Sequence, residues 1–136
     1  MNATEQNPTV LLVDDNPQTL ASTSSCLRAN GMKVIAIASP FDATGIVQNQ
    51  KPDAIILDVM MPGLNGAHLG TLIRKESDAP IIYFSAIPEE ELRNLASRTP
   101  NAWYVLKSEG LIYLNEVIER RFRQMQPIEP KRMNSP

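Results

Sequence analysis

Five short apolar runs constrain the fold more than any other feature: "TVLLV" (9–13), "MKVIAIA" (32–38), "DAIILD" (53–58), "PIIYFS" (80–85) and "AWYVL" (102–106). They are rich in Val and Ile and nearly continuous rather than alternating. Strands covered on both faces read this way, as in a parallel sheet. Helical segments separate the runs. Parallel neighbours need right-handed crossovers, so the alternation predicts an α/β fold with a doubly wound parallel sheet. A chain of 136 residues can bury such a core as one domain without covalent staples.

Several helix starts and stops are legible. Asn16-Pro17 and Ser39-Pro40 each pair a capping side chain with a proline at the first helical position. Pro88 precedes Glu89, Glu90 and Glu91, acids placed where a helix N-terminus favours negative charge. The glycine of "RANG" (28–31) ends the first helix. The last helix is expected to start near Ser108 and to seat Leu111, Leu114, Ile118, Phe122 and Met125 on the sheet, with Arg120, Arg121 and Arg123 mostly off that stripe. The proline-rich "PIEPKRMNSP" that follows has no periodicity and reads as a loose tail. The domain is expected over 8–126, with flexible tails at 1–7 and 127–136.

In an open parallel sheet, ligands bind outside the carboxyl ends of the strands. Asp14 and Asp15 end the first strand, Asp58 the third, Ser85 the fourth and Lys107 the fifth. All five polar residues therefore fall on one sheet edge. Three carboxylates held together need a counter-charge. A hard dication meets that need, and Mg²⁺ usually takes one or two carboxylates plus waters and phosphate oxygens. With no thiolate or imidazole near, zinc and copper are disfavoured. With Lys107 as a fixed positive charge and Ser85 as a hydroxyl donor, the set is what a phosphoryl group needs: a metal and a lysine to neutralise its oxygens, and a carboxylate that can be the nucleophile.

These residues, and the order and spacing of "VLLVDDN", "DAIILDVMMPGLNG" (53–66), "YFSA" (83–86) and "WYVLK" (103–107), resemble the receiver domains of two-component response regulators. The resemblance covers residues 8 to about 125. It implies a flavodoxin-like sheet in the order 2-1-3-4-5 with five helices, and a stand-alone, chemotaxis-regulator-like switch. By the same resemblance Asp58 is the phosphoacceptor. Asp15 binds Mg²⁺ directly, Asp14 acts mainly through a water, and the backbone carbonyl of Met60 completes the protein ligands. Ser85 hydrogen-bonds the phosphoryl group, Lys107 pairs with it, Ala86 leaves it room, and Tyr104 is the aromatic that turns inward on activation. The implied partners are a sensor histidine kinase or phosphotransfer protein as donor and a downstream protein target, reached through the fourth helix, fifth strand and fifth helix.

Two positions depart from the family pattern. Lys107 is followed by Ser108 where the family usually has proline, and "TPNA" replaces a Gly-Ala pair before the aromatic. A cis bond before serine costs about 3–4 kcal/mol, so a trans Lys107-Ser108 bond is expected, with the Ser108 hydroxyl free to cap the last helix. His68 has no acidic or cysteine neighbours and reads as a surface residue. Met60 and Met61 read as gap-fillers. Trp103 is expected to face away from Tyr104, and "RRFR" to form a solvated helix face.

Other classes fit less well. A net charge of −2 argues against a generic grip on nucleic acid, so no direct DNA binding is expected. A single cysteine, Cys26, rules out an intrachain disulfide and suits a reducing compartment. No run is long enough to span a membrane, and "MNATEQNP" is too polar for a signal peptide; a cytoplasmic location is expected. A dehalogenase-like phosphatase would need an acid two residues after the nucleophile, where Met60 stands. The alternative within the family is a pseudo-receiver that binds partners without turning over phosphate.

Overall fold

The computed structural model describes residues 7–124. Strands β1 (Thr9–Val13), β2 (Lys33–Ile37), β3 (Ala54–Leu57), β4 (Ile81–Ser85) and β5 (Ala102–Leu106) form a parallel sheet in the order β2-β1-β3-β4-β5. Helices α1 (Pro17–Ala29), α2 (Ala43–Gln50), α3 (Gly66–Arg74), α4 (Glu89–Arg98) and α5 (Leu111–Gln124) make the crossovers. The expected fold class and strand order are both present.

The continuous apolar runs follow from this arrangement, because each central strand is covered twice. Leu11, Val13, Ile55, Leu57, Ile81 and Tyr83 pack on one face with Val47 of α2, Leu69 and Ile73 of α3, and Leu92 of α4. Their neighbours in sequence, Val10, Leu12, Ala54, Ile56, Ile82 and Phe84, pack on the other with Leu27 of α1 and Leu114, Val117 and Ile118 of α5. All four residues of β3 are at most 1% exposed. Burial of each Ile or Leu there contributes about 1.5–3 kcal/mol relative to exposure. The edge strands β2 and β5 are mostly half-buried. On β5, Trp103 joins the α1–α5 layer and Tyr104 the α2–α4 layer, on opposite faces as the strand period requires.

Local signals place most helix ends. Asn16 Oδ1 accepts from the N–H groups of Gln18 and Thr19 at 2.9 and 3.1 Å, with Pro17 at the first position of α1. Gly31, at φ 90°, follows the end of α1. α4 starts at Glu89 with three acids in its first turn. Ser39 behaves differently from expectation. Its hydroxyl accepts from Phe41 N–H at 3.3 Å, but the turn it caps is a 3₁₀ turn over Pro40–Asp42, and α2 begins only at Ala43.

The last helix also starts later than expected. Lys107–Glu109 form a 3₁₀ turn, closed by a hydrogen bond from Leu106 N–H to Glu109 Oε1 at 2.9 Å. Gly110 at φ 93° then breaks the chain direction before α5. Ser108 does not cap the last helix as expected: it is exposed and makes no side-chain hydrogen bond among the described residues, and the side chain that closes the turn before α5 is Glu109. The Lys107-Ser108 bond is trans, as expected, and no described peptide bond is cis. Leu111, Leu114, Ile118 and Phe122 face the sheet; Met125 and the expected tail segments at 1–6 and 127–136 lie outside the described residues.

Candidate functional site

Register brings the acids together. Val13 of β1 lies beside Leu57 of β3, so the residues that follow, Asp14 and Asp58, leave the sheet as neighbours. Asp14 N–H donates to Ile37 O at 3.2 Å and Asp58 N–H to Val13 O at 3.0 Å. Both carboxylates thus stand on backbone that is still held by the sheet. Ser85 ends β4 opposite Leu106 of β5, which sets Lys107 next on the same edge.

The side chains converge on Asp58. Lys107 Nζ lies 2.9 Å from Asp58 Oδ2 and 2.9 Å from Asp14 Oδ2. Ser85 Oγ donates to Asp58 Oδ1 at 2.8 Å, and Met60 N–H donates to the same oxygen at 3.3 Å. Asn16 N–H donates to Asp14 Oδ1 at 2.9 Å. Asp14 and Asp58 are only 2% and 6% exposed, and Ser85 is fully buried. Two carboxylates so little solvated need a cation and hydrogen bonds to remain charged. Burial pulls the Lys107 ammonium down, but its bonds to Asp14 and Asp58 outweigh this and hold it above its ordinary value.

Asp15 adds a third carboxylate and is the most exposed of the three. Oxygens of Asp14, Asp15 and Asp58 lie within 4.8 Å of one another. An all-oxygen donor set of this kind suits a hard divalent cation rather than zinc or copper. The residues therefore fit Mg²⁺.

Five of the expected residues, Asp14, Asp15, Asp58, Ser85 and Lys107, meet at one point. Met60 reaches it through its backbone; its side chain is 64% exposed and fills no gap, because the chain has already left the sheet. Met61 is buried, as expected. Tyr104 stands apart. Its ring packs beside the α2–α4 layer, and its hydroxyl donates to Glu89 Oε2 on α4 at 3.0 Å. Ala86 is exposed beyond Ser85. His68 is exposed on α3, outside the site, as expected.

Sequence reading missed three supports. Asn16, expected only as the cap of α1, also donates its N–H to Asp14 Oδ1. Asn65 caps α3, accepting from His68 N–H at 2.9 Å. Gly66 packs so tightly that a Cβ would collide with the carbonyl oxygen of Asp58 and come within 2.8 Å of Val59 Cα. The "NG" pair at 65–66 carried a turn signal, but nothing in it told of contact with Asp58.

Residues 10–119 match the family described as the response regulator receiver domain. Transcriptional regulatory protein YvrH of Bacillus subtilis is 38% identical over 82 residues, covering 60% of this chain and 35% of that protein. Protein PilH of Pseudomonas aeruginosa is 28% identical over 94 residues, covering 69% of this chain and 74% of that protein. The chain thus spans little more than a third of the first relative and about three quarters of the second. Among solved structures, a two-component response regulator from Clostridium difficile superposes with a TM-score of 0.82 at 22% identity, covering 90% of this chain and all of that one. At that identity the likeness speaks for the fold.

Proposed function

This chain belongs to the response regulator receiver domain family, signalling modules set by phosphorylation, and we propose that it takes its phosphoryl group on Asp58 from a phosphohistidine of a sensor kinase or phosphotransfer protein. The observation that carries this reading is the environment of Asp58. One carboxylate oxygen is held by the Lys107 ammonium and the other by the Ser85 hydroxyl and the Met60 N–H. In the transfer an Asp58 oxygen forms the new bond to phosphorus while the bond from phosphorus to the donor's imidazole nitrogen breaks. The electron pair leaves with the imidazole. Lys107 then offsets the charge of the phosphoryl oxygens, and Ser85 turns its hydroxyl from the carboxylate toward one of them.

Asp15, Asp58 and the Met60 carbonyl would hold Mg²⁺ directly, and Asp14 through a water. When bound, the ion supplies positive charge to the phosphoryl oxygens. Residues 8–126 form the unit that switches, working in the cytoplasm. Tyr104 is the moving aromatic: once Ser85 is drawn to the phosphoryl group, the ring leaves Glu89 and turns toward the space vacated. The surface of α4, β5 and α5 changes with it, and a protein partner reads the change. Hydrolysis of the aspartyl phosphate is slow, and no other turnover is expected.

Incubation with acetyl phosphate and Mg²⁺, followed by intact-mass measurement, tests the reading. One phosphoryl adduct is expected on the unaltered chain and none on Asp58→Asn. No adduct on either protein, with the fold intact, would replace this reading by the pseudo-receiver one.

A further inference from the structure

At the end of the sheet opposite Asp58, the last turns of α3 and α4 enclose a pocket of about 300 Å³ lined by Thr71, Arg74, Lys75, Arg98, Thr99 and Pro100. We propose that this pocket binds a small phosphate-bearing anion, either a phosphomonoester or free phosphate. Half of its lining residues are cations and none is an acid. Among the described residues none of the three cations forms an ion pair; Asp78 is near enough to act on Arg74 through space but does not pair with it.

Arg74 is built into place. Its Nη1 donates to Ser77 O at 2.6 Å and Ala79 O at 2.9 Å, and its Nη2 to Asn101 O at 3.3 Å. Its Nε–H is buried and has no acceptor among the described residues. That nitrogen is closed off from the cavity, so what Arg74 offers as a lining residue is its fixed guanidinium charge, and a phosphate oxygen is a strong acceptor for a guanidinium. Lys75 and Arg98 are exposed and free to swing onto the same anion. A cation in the last turn of a helix is favoured by the helix dipole alone. That preference does not bring the cations of two helices to one cavity. The volume lies at the small end of ligand sites and admits a phosphate with a short organic group.

The test is an amide NMR titration of the full chain with inorganic phosphate, then with glycerol phosphate, without Mg²⁺ and at constant ionic strength in chloride. Saturable shifts are expected at residues 71–75 and 98–101, with a Kd of about 1 mM or tighter. Tighter binding of glycerol phosphate identifies an organic phosphomonoester as the ligand, and equal binding identifies free phosphate; either supports the site. The exposed double variant Lys75→Gln, Arg98→Gln should bind about tenfold more weakly while keeping its spectrum. Shifts that never saturate, that centre on Asp58 and Lys107, or that persist unchanged in the double variant overturn the proposal.

Discussion

Lys107→Met isolates the electrostatics of the acidic edge. At 2.9 Å from each of two carboxylates, the ammonium gains about 6 kcal/mol per contact at an effective dielectric constant of 20. Much of that gain only offsets the cost of taking three charges out of water. Removing one partner of a buried ion pair typically costs about 3–5 kcal/mol. The Lys107 side chain is still 23% exposed, so water can reach the vacated space, and the lower end applies: about 3 kcal/mol. In a domain of this size that lowers Tm by about 10 °C. The assay is urea unfolding at pH 7 with a chelator present, comparing midpoints at constant slope. Adding Asp14→Asn to Lys107→Met should restore most of the loss, because the buried carboxylates left without the ammonium fall from two to one. Millimolar Mg²⁺ should also stabilise Lys107→Met, since a ligand that binds only the folded state raises its stability. If Lys107→Met unfolds at the same urea concentration as the unaltered chain, or if Asp14→Asn makes it less stable still, Lys107 is not the counter-charge that holds this edge together.

Gly66→Ala forces a methyl group into the backbone of Asp58 and Val59; it should cost about 1–3 kcal/mol and slow phosphorylation by acetyl phosphate, and unchanged Tm and rate would refute the contact. Tyr83→Phe removes the hydroxyl contact to Thr99 Oγ1 at 3.0 Å, a loss of about 1 kcal/mol near neutral pH. Burial holds the Tyr83 phenol above its ordinary value of 10.0. Above that pH the unfolded chain releases the proton and the folded chain retains it, so the unaltered protein loses stability while Tyr83→Phe does not. The difference between the two should narrow as pH rises past 10.0, and a constant difference in urea midpoints would exclude this. Met60→Asn with Ile87→Glu should speed decay of the phosphorylated chain about tenfold, because two apolar side chains that would keep water from the phosphoryl group are replaced by polar partners for it; Ile87 packs against the core, so Met60→Asn alone is the control for folding, and unchanged decay in both would show that these side chains exclude no water.

The strands and the acidic edge were legible because they rest on short-range pattern. A run such as "DAIILD" states both that it is buried twice over and where burial stops. Four such endings on one sheet edge bring Asp14, Asp58, Ser85 and Lys107 together whatever the loops do. The loops were less legible, since their geometry is settled by partners distant in sequence or by competition among neighbours. Ser108 does not cap α5, because Glu109, whose carboxylate reaches back to Leu106 N–H, winds Lys107–Glu109 into a separate 3₁₀ turn. Glu89 holds Tyr104 from fifteen residues away through a particular pair of rotamers, and no periodicity encodes that. Ser39 looked like a helix cap and caps a helix, but the proline after it starts a tighter turn.

The bonds from Asp14 N–H to Ile37 O and from Asp58 N–H to Val13 O make the acceptor end of the molecule an anvil. A group attached to Asp58 would bear on main chain that is tied into the sheet through β1, which leaves the aspartate backbone little room to travel. A displacement would fall instead on groups beyond the strand ends: the Ser85 hydroxyl, which can exchange its bond to Asp58, and the segments that follow β4 and β5. On the proposed reading, change at Asp58 would then run in one direction across the sheet, toward β5 and away from β2, before any partner arrives to receive it.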